Sequence, residues 1–247
     1  MSLLSIVMPV YNEERVIESL VLDLERVVVG GLPDVELIVV DDRSTDRSPA
    51  ILDGLARDRP WLLVEHATVN AGHGPSVVRG LRQASGEWIF QLDSDGQFEI
   101  DDLWKLWEAR GEADLVLGVR ASRRDPMHRL LLSRVVSVAV SSLARRRLRD
   151  PNVPFRLIRR ELWDDLEPLL PPVALAPSIL VALGAVARGW RVVEIPVRHL
   201  PSTRPVSSLR STRLISFSLR GLRELIGFRR ELQQQPPRAR LAATEVV

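Results

Sequence analysis

The 247-residue chain predicts an α/β fold, a mostly parallel, doubly wound sheet flanked by helices. Two observations carry this. Short, continuously apolar runs alternate with stretches of helical periodicity, and a parallel strand covered on both faces reads as such a run. Polar clusters stand where apolar runs stop, at the strand ends where such sheets bind ligands. These clusters are Tyr11-Asn12-Glu13, Asp41-Asp42 and Asp93-Ser94-Asp95.

Taken in order, Leu4–Val10, Val35–Val40, Leu62–Glu65, Trp88–Leu92 and Leu115–Val119 read as buried strands. Helices are expected near 13–28, 47–58, 75–85 and 101–110, and this alternation calls for right-handed crossovers. After residue 127 the pattern changes to a long, mostly helical stretch over 128–148, then a short extended piece, Phe155–Ile158. A helix over 177–188 stops at Gly189, a residue suited to ending helices, and a strand follows over Val192–Val197. We expect one domain over 1–205, a basic amphipathic helix over 206–232, and a flexible tail over 233–247 that begins at Gln233-Gln234-Gln235-Pro236-Pro237.

Composition narrows the function classes. Net charge is only +2, and Lys105 is the sole lysine, so total charge gives no reason to expect a nucleic-acid partner. No cysteine is present, which excludes disulfides and thiolate metal sites. No run reaches the roughly 18 apolar residues that span a bilayer, and no cleavable leader is visible, so a cytoplasmic location is expected.

The most informative segment is Gln91-Leu92-Asp93-Ser94-Asp95-Gly96-Gln97. Two carboxylates at i and i+2 leave a strand end with a glycine close behind. The turn can gather Asp93, Asp95 and the Gln97 amide oxygen around one hard cation, Mg²⁺ or Mn²⁺, which take oxygen ligands and substrate phosphates. Alone, the same pattern also fits an ordinary acidic turn.

Several segments together resemble family-2 glycosyltransferases, and within them the polyprenol-phosphate (dolichol-phosphate) mannose synthases. They are Ser5-Ile6-Val7-Met8-Pro9-Val10-Tyr11-Asn12-Glu13-Glu14, Val39-Val40-Asp41-Asp42-Arg43-Ser44-Thr45-Asp46, Asn70-Ala71-Gly72-His73-Gly74, Asp93-Ser94-Asp95-Gly96-Gln97 and Gly118-Val119-Arg120. Arg129 with Ser133-Arg134, and Asp150 with Phe155-Arg156-Leu157 and Arg159-Arg160, resemble the acceptor-side segments. The resemblance implies a GT-A fold and an inverting transfer from a nucleotide-diphosphate sugar. It implies that Pro9, Tyr11 and Glu13, with Asp41 or Asp42, hold the base and ribose, and that Asn12, Asn70, Ser94 and Arg204 also bind the nucleotide sugar. Gly72 and Gly74 would let the backbone approach the nucleotide, and Arg120, Arg134 and Arg156 would bind phosphate. Local readings stay open beside these: a helix cap for Asp41-Asp42, a plain turn for the two glycines and a solvated surface role for any single arginine.

Acceptor chemistry adds a separate argument. Transfer to a hydroxyl usually needs a general base, and the Glu-Asp and Gln-x-x-Arg-Trp motifs of such family members are absent here. A phosphate is already ionised and needs cations instead, for which Arg129, Arg134, Arg156 and Arg159 are candidates. A lipid-phosphate acceptor is therefore preferred over a hydroxyl of a glycolipid, polysaccharide or secondary metabolite, with a non-catalytic nucleotide-sugar-binding relative as the third reading. The C-terminal segment fits a membrane surface: Leu214, Ile215, Phe217, Leu219, Leu222, Leu225, Ile226 and Phe228 form one helical arc, opposite Arg213, Arg220, Arg223 and Arg230. Packing on the domain or on a second copy is the alternative, and a peripheral position at the inner face of a membrane is expected. The pattern departs from the synthases at Ala176-Pro177-Ser178, where they carry an acid. It departs again at Ser202-Thr203-Arg204-Pro205-Val206-Ser207-Ser208, where they carry Arg-x-x-Gly-x-Ser-Lys.

Overall fold

A computed structural model describes residues 3–120, 137–138, 140–144, 146–171, 173–200 and 211–235, the last segment with side chains from Arg220 onward. The strands are β1 (Leu4–Val10), β2 (Val35–Asp41), β3 (Leu62–His66), β4 (Trp88–Gln91), β5 (Leu115–Arg120), β6 (Arg156–Arg159) and β7 (Val192–Val197). Helices among the described residues include α1 (Ile17–Leu24), α2 (Ser48–Ala56), α3 (His73–Gln83), α4 (Leu103–Glu108), α5 (Arg160–Leu166), α6 (Pro177–Ala187) and α7 (Ser211–Gln234).

The strands form one sheet in the order β3-β2-β1-β4-β6-β5-β7. From β1 the chain works outward through β2 and β3, then returns to the other side of β1 as β4. The crevice between the ends of β1 and β4 is therefore a topological switch point, where open α/β sheets bind ligands. β1 and β4 are buried along their whole length, which explains why Ser5 and Gln91 are their only polar residues.

One strand runs against the rest. β6 pairs antiparallel with both β4 and β5, and Arg156 stands opposite Gln91 and Leu117. It therefore enters the sheet at the same edge where β4 ends. Phe155–Ile158 was expected to be extended, but four residues carry no sign of direction. α5, which follows β6 immediately, has no counterpart in the sequence-based reading.

Helix starts follow local backbone chemistry. Glu13 O accepts Val16 N and Ile17 N, both at 3.0 Å, so α1 begins four residues later than expected. Its last turn widens into a π-helical turn over Glu25–Val29, closed by Gly30 N on Glu25 O at 2.9 Å. α3 begins at His73 rather than 75 because Gly72, at φ 94°, turns the chain sharply just before it. α6 is apolar all round, and Pro177 to Ala185 are buried, as a helix between two layers requires.

α7 corrects the expected division of the chain. Leu225, Phe228 and Leu232 are buried in the same core as the sheet, so its second half belongs to the domain. A Cβ on Gly184 of α6 would meet Leu166 at 2.7 Å and Phe228 at 3.3 Å, so a glycine is what lets α6 approach both neighbours. Leu222 and Ile226 remain exposed, with Arg220, Arg223 and Arg230 beside them.

Candidate active site

Turns leaving β1, β2, β3 and β4 meet at the carboxyl edge, and side chains tie them in a ring. Past β1, Asn12 takes up a left-handed conformation at φ 56°, which asparagine tolerates. Its N–H donates to Ser44 Oγ at 2.9 Å and its Oδ1 accepts Thr45 N at 2.7 Å. Glu13 N donates to Ser48 Oγ at 2.8 Å, and Glu13 is buried while Tyr11 stays exposed. These bonds join the first turn to the second.

Asp42 joins the second turn to the third. Its two carboxylate oxygens accept Ala71 N and Gly72 N, both at 2.8 Å, while Asn70 Nδ2 donates back to Asp42 O at 2.9 Å. From the third turn, His73 Nε2 and Asp93 Oδ1 lie 2.8 Å apart. Ser94 Oγ closes the ring by donating to Pro9 O at 2.7 Å, a buried bond under the floor of the crevice. Pro9, Asn12, Asp42, Asn70, Gly72, Asp93 and Ser94 are thus joined by one ring of hydrogen bonds.

Three expectations about individual groups change. Neither Asp41 nor Asp42 caps α2: Asp46 Oδ1 accepts Ser48 N at 2.9 Å, whereas Asp41 Oδ1 accepts Ser44 N at 3.0 Å. Asp42 spends its carboxylate on the Gly-rich turn and so shapes it. Gly74 is explained by packing rather than by access to a ligand, since a Cβ there would lie 2.1 Å from Ala174 O. Gly72, by contrast, has open space around its Cβ position and a positive φ, so its backbone is accessible at the crevice.

The donor set at the end of β4 fits a hard cation. Asp93 and Asp95 are partly exposed carboxylates two residues apart, with Gly96 at φ 67° turning the chain behind them. Asp95 Oδ1 accepts Gln97 N at 3.1 Å, which holds the turn. Gln97 Nε2 donates to Leu200 O at 3.3 Å, so the amide oxygen is the atom Gln97 offers a cation. Among the described residues, no group of three or more His, Cys, Asp and Glu side chains is placed to hold a metal. An ion here would accordingly rest on one or two carboxylates and draw its other ligands from substrate and water.

His73 was missed by sequence reasoning. A polar residue between two glycines, at the start of a helix and before the acidic motif, was the available signal. Burial works against its imidazolium, but the hydrogen bond to Asp93 and the charges of Asp93, Asp95 and Asp42 prevail and raise its pKa. His66 and Asp53 were also missed, although His66 stands where the third apolar run stops.

The arginines divide. Arg120, at the end of β5, is engaged by buried Asp150 through two bonds, Nε to Oδ2 at 2.7 Å and Nη2 to Oδ1 at 3.1 Å. Arg156 is a correction. It is fully buried, and its guanidinium donates to Val153 O at 2.9 Å, Pro151 O at 3.0 Å and Ser178 O. Burial pushes it down to about 9, against the pull of Asp150 and Asp93, so it remains a cation at neutral pH. It is a buried structural charge below the site, closed to an acceptor phosphate. Ser178 also exchanges hydrogen bonds with Gln91, at 2.9 and 3.2 Å, which accounts for a serine where the synthases carry an acid. Arg129, Arg134, Arg204, the 202–208 loop and most of the 128–148 stretch lie outside the described residues.

The chain leaving β7 runs past the acidic motif. Buried Asp102 holds Arg198 through its backbone N–H at 2.6 Å and its guanidinium at 3.0 and 3.1 Å, and Leu200 N donates to Gln97 O at 2.8 Å. His199 sits against Phe98, which stacks on Phe155.

Comparison with known proteins agrees with this architecture. The curated undecaprenyl-phosphate 4-deoxy-4-formamido-L-arabinose transferase of Pseudomonas aeruginosa (strain LESB58) is 29% identical over 216 residues, 87% of this chain and 62% of that protein. A relative of the same name from Pectobacterium carotovorum subsp. carotovorum is 32% identical over 164 residues, 64% of this chain and 49% of the relative. The chain therefore spans only part of the length of these relatives. Glucosyl-3-phosphoglycerate synthase from Mycobacterium tuberculosis, solved with Mn²⁺, uridine diphosphate and phosphoglyceric acid, superposes with a TM-score of 0.70 at 19% identity, covering 92% of this chain and 78% of the other. A mannosyltransferase from Pyrobaculum calidifontis, solved with GDP-Man and Mn²⁺, gives 0.62 at 22% identity, covering 93% and 68%. These likenesses show a shared GT-A fold. The model of glycosyl transferase family 2 matches residues 5–170, and the chain belongs to that family.

Proposed function

We propose that the protein is an inverting glycosyltransferase that moves a sugar from a nucleotide-diphosphate sugar to a polyprenyl phosphate at a membrane surface. The observation that carries this reading is the ring of tied turns at the β1/β4 switch point, in which His73, next to Gly72, bonds Asp93 of the acidic motif. The relatives' names supply the acceptor class, since they are transferases for undecaprenyl phosphate. Solved neighbours hold UDP or GDP-Man with Mn²⁺.

In this reading Asp93, Asp95 and the Gln97 amide oxygen hold a divalent cation, Mg²⁺ or Mn²⁺. When bound, that ion supplies positive charge that stabilises the leaving diphosphate. Tyr11, Glu13 and the 41–44 turn receive the base and ribose, while the open backbone at Gly72 approaches the diphosphate. An acceptor phosphate oxygen attacks the anomeric carbon as its bond to the diphosphate breaks, and an ionised phosphate has no proton for a base to remove. Arg129 and Arg134 are the acceptor-side cations, and Arg204 belongs to the donor side. The test is incubation with Mn²⁺, a panel of UDP- and GDP-sugars and polyprenyl phosphate. Glycolipid product is expected on the phosphate and none on the free alcohol. Product on the alcohol alone would favour a hydroxyl acceptor, and nucleotide binding without any turnover a non-catalytic relative.

The membrane contact is assigned to the outer stripe of α7: Leu222 and Ile226 with Arg223 and Arg230. No described helix is long and apolar enough to cross a membrane, so contact at the surface is what this stripe offers. Apolar side chains flanked by guanidinium groups suit an interface rich in anionic lipid. Truncating α7 would remove core residues, so substitution is the cleaner test. The double variant Arg223→Glu with Arg230→Glu is expected to weaken binding to anionic vesicles by roughly tenfold or more, with unchanged circular dichroism. Undiminished co-sedimentation would reject the assignment, and a shift to lower oligomers instead would mark the stripe as a contact with a second copy.

A further inference from the structure

At the outer end of the crevice, His66 lies between two carboxylates. Its Nδ1 is 2.9 Å from Asp41 Oδ2 and its Nε2 is 3.1 Å from Asp53 Oδ1. Ionised carboxylates only accept hydrogen bonds, so both contacts are made together only by an imidazolium with two N–H groups. Asp41 is almost fully buried, and its other oxygen accepts Ser44 N at 3.0 Å. Ser44 Oγ in turn accepts Asn12 N. A continuous path of hydrogen bonds thus runs from Asp53 on α2, through His66 and Asp41, to both turns assigned to the base and ribose. Arg43, inside that path, stands at φ 59°, a conformation costly for an ordinary side chain. The turn therefore depends on bonds such as these to keep its shape.

We propose that His66 is a positioning residue for the nucleoside end of the donor site, its protonated ring holding Asp41 against Asp53 and so fixing the 42–48 turn. This rests on the donor-site reading given above. The charges acting on the ring are Asp41 from β2 and Asp53 from α2, while neighbouring Glu65 on β3 pairs with Arg79 of α3 at 3.4 Å. The hydrogen bond to Asp41 leads in raising the pKa of His66 above the ordinary value of 6.5, with burial opposing and Asp53 adding to the rise. Because the folded value is raised, the clamp is complete below about pH 6.5 and is lost as pH rises through the folded pKa.

The test uses the full chain with Mn²⁺ and either UDP or GDP, followed by calorimetry from pH 5.5 to 8.5. Wild type should bind more tightly at the acidic end, and the NMR signal of the His66 ring should titrate above 6.5. His66→Gln should weaken binding roughly tenfold at low pH and flatten the pH profile, raising the donor KM while leaving kcat in place. Asp53→Asn, a change at an exposed side chain, should lower the midpoint and carries the test should His66→Gln fail to fold. Equal affinity and an unchanged profile in these variants would overturn the clamp alone. Failure of wild type to bind either nucleotide at any pH would remove the donor-site reading and the clamp with it.

Discussion

Asp95→Ala is expected to lower metal-dependent sugar transfer by about 10²–10³-fold, while the unfolding midpoint stays within a degree or so of wild type. Asp95 is partly exposed at a turn, and among its contacts is the Gln97 N–H, which water can reach once the carboxylate is gone. The fold therefore loses little. Chemistry loses a ligand that would hold positive charge against a developing diphosphate, and water cannot replace a fixed group at low cost. Initial rates at saturating Mn²⁺ and a thermal melt on the same preparation separate the two effects. Full activity in this variant would overturn the metal assignment.

Arg156→Met is expected to destabilise the protein by about 3–5 kcal/mol, because it strands buried partners rather than merely removing a contact. The side chain fills the space where the 151–153 turn, the start of α6 and the first residue of β6 converge, and three backbone carbonyls depend on it. Methionine preserves much of the volume but offers no donor, so those oxygens would stay buried without partners. Lysine would not restore a planar fork of donors. For a chain of this size the melting midpoint should fall by roughly 10 °C. Arg26→Met, which breaks an exposed pair with Asp23, should change stability by less than about 1 kcal/mol. A small effect at 156 in urea titration would mean that the carbonyls find other partners, and that burial there is less complete than it looks.

These two residues also show what sequence can and cannot reveal. Asp95 was legible as a candidate because the acidic pair stands where an apolar run stops, with a glycine close behind and a family resemblance around it. Arg156 was not, because an arginine near a candidate site reads as a cation for a ligand, and only tertiary packing reveals carbonyls around all its donors. The parallel strands were legible as continuous apolar runs, with ends correct to a residue or so. The direction of β6 was not, since a short run carries periodicity but no polarity. In α7 the apolar arc was visible, yet its width hid two roles. Leu225, Phe228 and Leu232 pack inward, whereas Leu222 and Ile226 do not, and the difference follows from the packing of α7 on α6 and the 167–169 turn. Asp42 stood out as an acid at a strand end, but its service to the 70–72 backbone depended on a turn some 28 residues away.

The reversed strand has a consequence for how the chain is made. β5 is complete at residue 120 yet reaches the rest of the sheet only through β6, which emerges some 36 residues later. Until then a nascent chain holds a four-strand half with β4 as a bare rim, open to association with other chains. Fragments cut anywhere between these two strands should therefore be prone to aggregate, and the shortest soluble piece should extend beyond Arg159.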